Sequence, residues 1–228
     1  MALRSVLLGC FIALVGFSGT VRSARAEEGV AVTIVYDLSA SMNETVPDRD
    51  GKNTPKYIIA KRALLAVVDR LKQFTDTAKD KKLSVSLLIF ADSKVKEALP
   101  LAPFSAQTFR DWVASAPKPN GGTPLGESLQ VATAQLLASP LNHKHIMVIT
   151  DGANTNGPDP AKVLPGLRKD AQAKDAYIGV HFVAFDVAAK VFDPLKKLDV
   201  TVVGAANEEQ LNAQLNYVLR EKVLVEVE

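Results

Sequence analysis

Short runs of apolar residues, many of them β-branched, recur along the chain and are separated by longer stretches of mixed polarity. Within each run the apolar residues are continuous and do not alternate with polar ones. This pattern is typical of strands that are covered on both faces, as in a parallel sheet. The runs that predict strands are residues 30–36, 83–90, 146–149, 178–185 and 200–203.

The stretches between these runs carry apolar residues three or four positions apart, which is the spacing of one face of a helix. Three such series predict helices: Ala60, Leu64, Val67 and Leu71; Leu125, Leu129, Ala132 and Leu136; and Leu211, Leu215 and Val218. Residues 104–116 favour a further helix with Ser105 as its cap, and residues 95–99 favour a short antiparallel edge strand. The alternation predicts one α/β domain, residues 27–228, with a doubly wound, mainly parallel central sheet flanked by helices.

The first 26 residues differ from the rest and have the features of a secretory signal peptide. Arg4 provides a positively charged start, residues 6–17 form a mostly apolar run without charge, and Ala24-Arg25-Ala26 is an A-x-A cleavage site. The apolar run is shorter than the roughly 20 residues that a membrane-spanning helix needs. We therefore expect an exported chain, periplasmic or secreted, with no stable membrane span after cleavage of residues 1–26.

Composition excludes several classes of protein. Of the 228 residues, 47% are hydrophobic and 23% are charged, as in an ordinary globular domain. After loss of the signal, 24 basic and 25 acidic residues remain, so no nucleic-acid partner is expected, because such a protein needs an excess of basic side chains. The only cysteine, Cys10, leaves with the signal, which excludes thiol catalysis and cysteine-ligated zinc.

Polar side chains follow two of the predicted strands and one loop. The first strand ends in D-x-S-x-S, formed by Asp37, Ser39 and Ser41, and the strand at 146–149 is followed by Thr-Asp-Gly with Asp151. A Gly-Gly-Thr-Pro loop brings Thr123 to the start of a helix. Ligands of α/β sheets bind at the carboxyl ends of the strands, so we expect these five side chains to meet there. Oxygen ligands without His or Cys favour Mg²⁺ and, less selectively, Mn²⁺ or Ca²⁺.

The three motifs, in this order, resemble the metal-ion-dependent adhesion site (MIDAS) of the von Willebrand factor type A (VWA) family, which has a Rossmann-like fold. The resemblance covers the chain from the first strand to the last helix. It implies that Ser39 and Ser41 coordinate the metal directly and Thr123 directly or through water. It also implies that Asp37 and Asp151 act mainly through water and hydrogen bonds. One departure is Ala40, which stands where many members of the family have glycine.

The resemblance implies a protein-binding module and no enzyme. A metal held by few charged groups keeps an open position, which a Glu or Asp carboxylate of a partner protein fills. Two alternatives remain: a metal-dependent hydrolase of the phosphatase type, and a VWA domain that binds its partners independently of metal. The first is disfavoured because Ser39 occupies the place of the second carboxylate that phosphatase chemistry needs, and because no G-x-S-x-G motif occurs.

Four other features have structural interpretations. The stretch from residue 43 to residue 56 carries Asp48, Asp50 and Asn53 around Gly51, but it does not fit the EF-hand template and is interpreted as a solvated turn. His143 and His145 precede a predicted strand and are expected to face solvent or to cap it. His181 lies within a strand and is expected to pack in the core. Asp92 and Asp186 follow strands at the same sheet edge as the predicted metal site, and Asp92 is a candidate for lining the cleft.

Overall fold

The computed structural model describes residues 27–227, and the predicted signal peptide lies outside the described residues. The strands are β1 (Glu27–Asp37), β2 (Thr45–Pro47), β3 (Asn53–Pro55), β4 (Lys82–Ala91), β5 (Lys94–Pro103), β6 (Leu141–Thr150), β7 (Ile178–Phe185) and β8 (Thr201–Ala205). The helices are α1 (Lys56–Thr77), α2 (Ala106–Ser115), α3 (Leu125–Ala138), α4 (Pro160–Gln172), α5 (Asp193–Lys196) and α6 (Glu208–Val218).

The central sheet has the strand order β5-β4-β1-β6-β7-β8. All neighbouring strands run parallel except β4 and β5, which are antiparallel, so the predicted fold and its antiparallel edge strand are confirmed. The chain leaves β1 toward β4 on one side and later returns to β6 on the other side. The strand order therefore reverses at β1, and the crevice for a ligand opens beside the carboxyl ends of β1 and β6.

Helices cover both faces of this sheet, as the continuous apolar runs predict. Along β1, Val32 and Ile34 pack with the apolar side of α1 and α6, whereas Ala31 and Val35 pack with that of α3 and α4. Because successive side chains of a strand point to opposite faces, both faces of β1 are apolar and buried. Within residues 27–227, no helix combines the length and the apolarity that crossing a membrane requires.

The helix predicted at residues 104–116 is α2, and its N-cap is confirmed. The side chain of Ser105 accepts a hydrogen bond from the backbone N–H of Thr108. A serine oxygen at this position satisfies one of the N–H groups that the first helical turn leaves without a partner. The last predicted helix, α6, is also present and continues as a turn of π-helix over Leu219–Leu224.

The long segment before α1 forms the β2–β3 hairpin, which the sequence did not predict. Its tip is the expected exposed turn, but Asp48 is nearly buried. The Asp48 carboxylate accepts hydrogen bonds from the backbone N–H groups of Asp50 and Lys52, both at 3.0 Å, and from the Thr54 hydroxyl at 2.8 Å. These bonds hold the tip in its turn. The two strands are short and contain proline, so no strand pattern marks them in the sequence.

The Gly-Gly-Thr-Pro loop is fastened to the loop that follows β1. The backbone N–H of Ala40 donates to the Gly121 carbonyl at 2.9 Å, and that of Asn120 donates to the Leu38 carbonyl at 2.8 Å. Gly121 has a φ of +79°, and a Cβ on it would lie 2.4 Å from the backbone nitrogen of Ser93. Glycine is therefore required there both by the backbone angle and by the close approach of the neighbouring chain.

Two of the three histidines do not lie where the sequence predicts them. β6 begins at Leu141, so His143 and His145 belong to the strand, and the prediction that His145 faces solvent or caps it is wrong because it is 1% exposed. His181 is buried, as predicted. The Nδ1 atom of His145 lies 3.2 Å from Nε2 of His181. The Nε2 atom of His145 lies 3.2 Å from a carboxylate oxygen of Glu226.

His181 contributes a loss of stability in mild acid, which the raised pKa of Asp37 opposes below about pH 6. Burial lowers the pKa of His181 from 6.5 to about 3, helped by the charges of His145 and Lys222 and opposed by those of Glu226 and Asp199. The unfolded chain takes up a proton near pH 6.5 that the folded chain excludes. The stabilising contribution is therefore complete above pH 6.5 and is lost as the pH falls toward 3, by at most about 1.4 kcal/mol per pH unit.

Urea unfolding of the protein at several pH values between about 7 and 5 tests this expectation. We expect His181→Gln to lose less unfolding free energy on acidification than the wild type, whereas His143→Gln, at the half-buried histidine of β6, should follow the wild type. An equal pH dependence in the wild type and in His181→Gln would contradict the argument.

The loop before α3 gives a second prediction. Gly121→Ala and Gly51→Ala introduce the same methyl group at nearly the same backbone angle, φ +79° and +75°, but no heavy atom lies within 4 Å of the position at Gly51. Backbone strain alone costs about 1–2 kcal/mol at each site. We expect Gly121→Ala to lower the unfolding free energy by about 2 kcal/mol more, since overpacking adds to the strain. Equal losses in denaturant titrations would show that the close contact with Ser93 is unimportant.

Candidate metal centre

The structure brings all five predicted site residues together at the carboxyl ends of β1 and β6. Ser39 Oγ lies 3.1 Å from Ser41 Oγ, and the Ser41 hydroxyl donates a hydrogen bond to Asp151 Oδ1 at 2.7 Å. The backbone N–H of Asp151 points to Asp37 Oδ2 at 3.4 Å. Thr123 lies in the same group. A Cβ placed on Gly152 would be 3.8 Å from Thr123 Oγ1 and 4.0 Å from Ser41 Oγ, so both hydroxyls are near this glycine.

Asp37 is completely buried at the end of β1, and hydrogen bonds from the protein occupy both of its oxygens. Oδ1 accepts from the backbone N–H of Ser39 at 2.6 Å, and Oδ2 accepts from the Thr150 hydroxyl at 2.6 Å. Burial raises the pKa of Asp37 to about 6, the charge of Asp151 adds to this, and the bonds from Ser39 and Thr150 oppose it. These bonds suit a carboxylate that orients the D-x-S-x-S loop.

Asp151 differs from Asp37 because a cation contacts one of its oxygens. Oδ1 accepts a hydrogen bond from Ser41, and Oδ2 is buried against the Lys56 ammonium, 2.8 Å away. Among the described residues, no N–H or hydroxyl group other than this ammonium reaches Oδ2. A hydrated cation beside the carboxylate would give Oδ2 a further partner.

Thr123 is held by the loop that follows β6. Its backbone N–H donates to Thr155 Oγ1 at 2.8 Å, and the N–H of Thr155 returns a bond to the Thr123 carbonyl at 3.0 Å. One residue earlier in this loop, the Asn154 side chain accepts a hydrogen bond from the N–H of Gly126 in the first turn of α3. The loops after β1 and β6 are thus both bonded to the segment that carries Thr123, which fixes its position relative to the serines.

Lys56, the first residue of α1, is the site residue that the sequence analysis missed. Its ammonium contacts three carboxylates, namely Asp151 and Glu44 at 2.8 Å and Asp186 at 3.4 Å. Burial lowers its pKa, but the hydrogen bonds and charges of Asp151 and Glu44 outweigh burial, so that the pKa is raised overall and the side chain is charged. Nothing in the sequence pattern marks this lysine, because it reaches the site through the fold of the hairpin.

The donor set fits a hard cation. Two carboxylates and three hydroxyls are a small, oxygen-only set of the kind that Mg²⁺ accepts while it keeps several water ligands. Between Glu27 and Val227, no group of three or more His, Cys, Asp or Glu side chains is arranged to hold a metal. Any metal in this cleft would therefore depend on the hydroxyls of Ser39, Ser41 and Thr123.

Among the described residues no histidine lies beside the serines, and the carboxylate next to Ser41 is Asp151, which is paired with Lys56. In the sheet register His181 is opposite Met147, three residues before the end of β6, which places it roughly 10 Å back from the cleft. Asp92 does not line the cleft as a free carboxylate, because it accepts hydrogen bonds from Asn120 at 2.7 Å and Lys96 at 2.8 Å. Asp186 does reach the site, through Lys56.

Comparisons with known proteins agree with this architecture. The chain is similar to the VWA domain of the type V pili tip protein Mfa5 from Porphyromonas gingivalis, with a TM-score of 0.65, 14% identity, and coverage of 88% of this chain and 97% of that one. It is also similar to the PilB minor pilin from Streptococcus sanguinis, with a TM-score of 0.62, 16% identity, and coverage of 85% of this chain and 61% of the pilin. Both identities are low, so these likenesses establish the fold alone.

A third similar structure is proximal thread matrix protein 1 from the mussel byssus, which was solved with zinc in its MIDAS motif. Its TM-score is 0.61 at 17% identity, and the match covers 86% of this chain and 48% of the mussel protein. A comparison with curated protein sequences gave no match. The profile of the von Willebrand factor type A domain matches residues 31–217, most of the chain. This chain therefore belongs to the von Willebrand factor type A domain family.

Proposed function

We propose that this chain is an exported protein-binding module that holds a divalent cation and recruits an acidic side chain of a partner protein. The observation that carries the proposal is the convergence of five oxygen-bearing side chains from three separate segments at one sheet edge. One carboxylate oxygen there, Asp151 Oδ2, is buried with the Lys56 ammonium as its one partner among the described residues. Ser39, Ser41 and Thr123 would hold the cation, Mg²⁺ first and Mn²⁺ or Ca²⁺ as alternatives, with Asp37 and Asp151 behind them.

The choice of ligands explains why such a site would bind a protein and carry out no reaction. Hydroxyl oxygens are neutral, so a cation that they hold retains much of its charge and attracts a further anion. Burying a Glu or Asp side chain of a partner is favourable only where its charge is compensated, and the cation would compensate it. Within residues 27–227 no histidine lies beside Ser39 and Ser41, and the carboxylate that accepts from Ser41, Asp151, is paired with Lys56, which supports a binding role over a hydrolase.

Export is proposed because residues 1–26 resemble a signal peptide and because of the kinds of protein to which this chain is similar. Two of these belong to bacterial pili and one to a byssal thread, and none of these likenesses carries a function over to this chain by itself. The chain spans 61% of the PilB minor pilin and 48% of the mussel protein, so a role in adhesion, scaffolding or assembly is proposed for this module without reference to what those longer proteins do.

The metal is tested most simply by titrating Mg²⁺ into the purified protein in a calorimeter. We expect binding by the wild type and an affinity at least about tenfold lower for Asp37→Asn, because this change removes one of two buried negative charges near the cation. Asp92→Asn is the matched control at the same sheet edge, outside the donor set, and it should bind like the wild type. The melting temperature of each variant in a chelator shows whether it is folded.

Equal heats from the wild type and Asp37→Asn would reject the site. A chain that binds no Mg²⁺, Mn²⁺ or Ca²⁺ but still captures partners would instead support the alternative of metal-independent binding.

The partner is tested by capture. Immobilised wild-type protein, incubated with exported proteins from its own source, should retain a partner in Mg²⁺ and release it in a chelator, and the Asp37→Asn protein should retain none. In the identified partner, changing one surface Glu or Asp to its amide should abolish retention. Retention that persists in the chelator and in Asp37→Asn would show that the interface lies elsewhere.

A further inference from the structure

Lys56 is held beside the candidate metal centre by the hairpin that precedes it. Its backbone N–H donates to the Glu44 carbonyl at 2.8 Å, which closes the base of the β2–β3 hairpin. The hairpin is in turn anchored at the start of α6, where Glu208 accepts hydrogen bonds from the backbone N–H of Arg49 at 3.3 Å and from the Arg62 guanidinium at 3.1 Å. The position of Lys56 is thus fixed by contacts that are independent of any metal.

A charged lysine is in an unfavourable place at this point of the fold. Lys56 is the first residue of α1, and the N-terminus of a helix carries partial positive charge, which disfavours a cation. Its side chain is also only 3% exposed, so little water stabilises the ammonium. The three carboxylates around it, described above, compensate both effects. Of these, Asp151 is the buried one, whereas the Glu44 and Asp186 side chains are 69% and 39% exposed.

The same ammonium opposes the binding of a second cation. A metal held by Ser39, Ser41 and Thr123 would share Asp151 with Lys56, and two positive centres around one carboxylate repel each other in a partly buried site. Of the buried groups, Asp37, Asp151 and Lys56 together carry one negative charge, whereas Glu44 and Asp186 are exposed and their charges are screened by water. A dication leaves the buried groups with one positive charge, and a carboxylate from a partner returns them to neutral. A partner carboxylate therefore favours retention of the metal.

We propose that Lys56 is a resident cation that keeps the metal affinity of the free protein low, so that firm retention of the metal depends on the partner's carboxylate. The inference rests on the proposed function, because it concerns the same site. It assigns Lys56 a role in tuning binding, distinct from a role in merely holding Asp151 in place. The two roles predict opposite effects when the positive charge is removed.

Magnesium titrations of the metal-free protein test the proposal, with Mg²⁺ alone as the probe. In Lys56→Met the side chain stays unbranched, becomes one atom shorter and loses its charge, and we expect Mg²⁺ to bind at least about tenfold more tightly than in the wild type. Lys61→Met is the matched control, since Lys61 is on the same helix and its ammonium contacts the Ala116 carbonyl instead of the site. This control should bind Mg²⁺ like the wild type.

A second variant guards against misfolding of the first. Glu44 is exposed, so Glu44→Gln should fold normally. It removes a negative partner of the ammonium, and we expect a Mg²⁺ affinity about twofold to fivefold lower than in the wild type. Thermal unfolding gives an independent readout: Lys56→Met should melt at a lower temperature than the wild type in a chelator and gain more from added Mg²⁺.

Unchanged or weaker Mg²⁺ binding by Lys56→Met, once its fold is verified, would overturn the inference while leaving the proposed function intact. If Lys56→Met does not fold, unchanged or tighter binding by Glu44→Gln would overturn it. Absence of Mg²⁺, Mn²⁺ and Ca²⁺ binding in the wild type and in every variant would refute the proposed function and this inference together.

Discussion

Two buried carboxylates at one edge of the sheet are the constraint on which the rest of this structure depends. Asp37 and Asp151 end neighbouring strands and are almost inaccessible to water, and buried negative charge is unfavourable unless it is compensated. The chain compensates Asp37 with backbone N–H and hydroxyl donors from its own loops. It compensates Asp151 with one hydroxyl and the Lys56 ammonium. One ammonium for two buried carboxylates leaves negative charge that a divalent cation would compensate.

The surrounding segments bring polar side chains to these two carboxylates. The loop after β1 places two serines beside Asp151, and the loop before α3, which requires glycine at Gly121, brings Thr123 to the same point. The β2–β3 hairpin delivers Lys56. Because the strand order reverses at β1, these segments come from both sides of the switch point without distorting the sheet. The fold buries apolar side chains on both faces of the sheet. The polar side chains of the candidate site therefore lie at one edge.

Much of this arrangement could be predicted from the sequence. The features that could not be predicted depend on contacts between residues that are distant in sequence. Continuous β-branched runs predicted the strands, and the rule that parallel strands bring their carboxyl ends to one edge predicted that Asp37 and Asp151 meet. The location of Lys56 could not be predicted, because it depends on a hairpin held by contacts distant in sequence, such as that of Glu208 with Arg62. His145 was placed wrongly because β6 starts at Leu141, before its apolar run, where pairing with β1 and β7 determines the strand. No helical pattern predicted α4, which contains Pro165 and is stabilised by packing against α3.

The central claim, that neutral hydroxyl groups bind a divalent cation between these two carboxylates, is tested most directly by anomalous diffraction from crystals of the protein soaked in Mn²⁺. The account predicts one strong anomalous peak in contact with the hydroxyl oxygens of Ser39 and Ser41 and beside Thr123. An anomalous map with no peak in this cleft, from crystals in which the cleft is open to solvent, would contradict it.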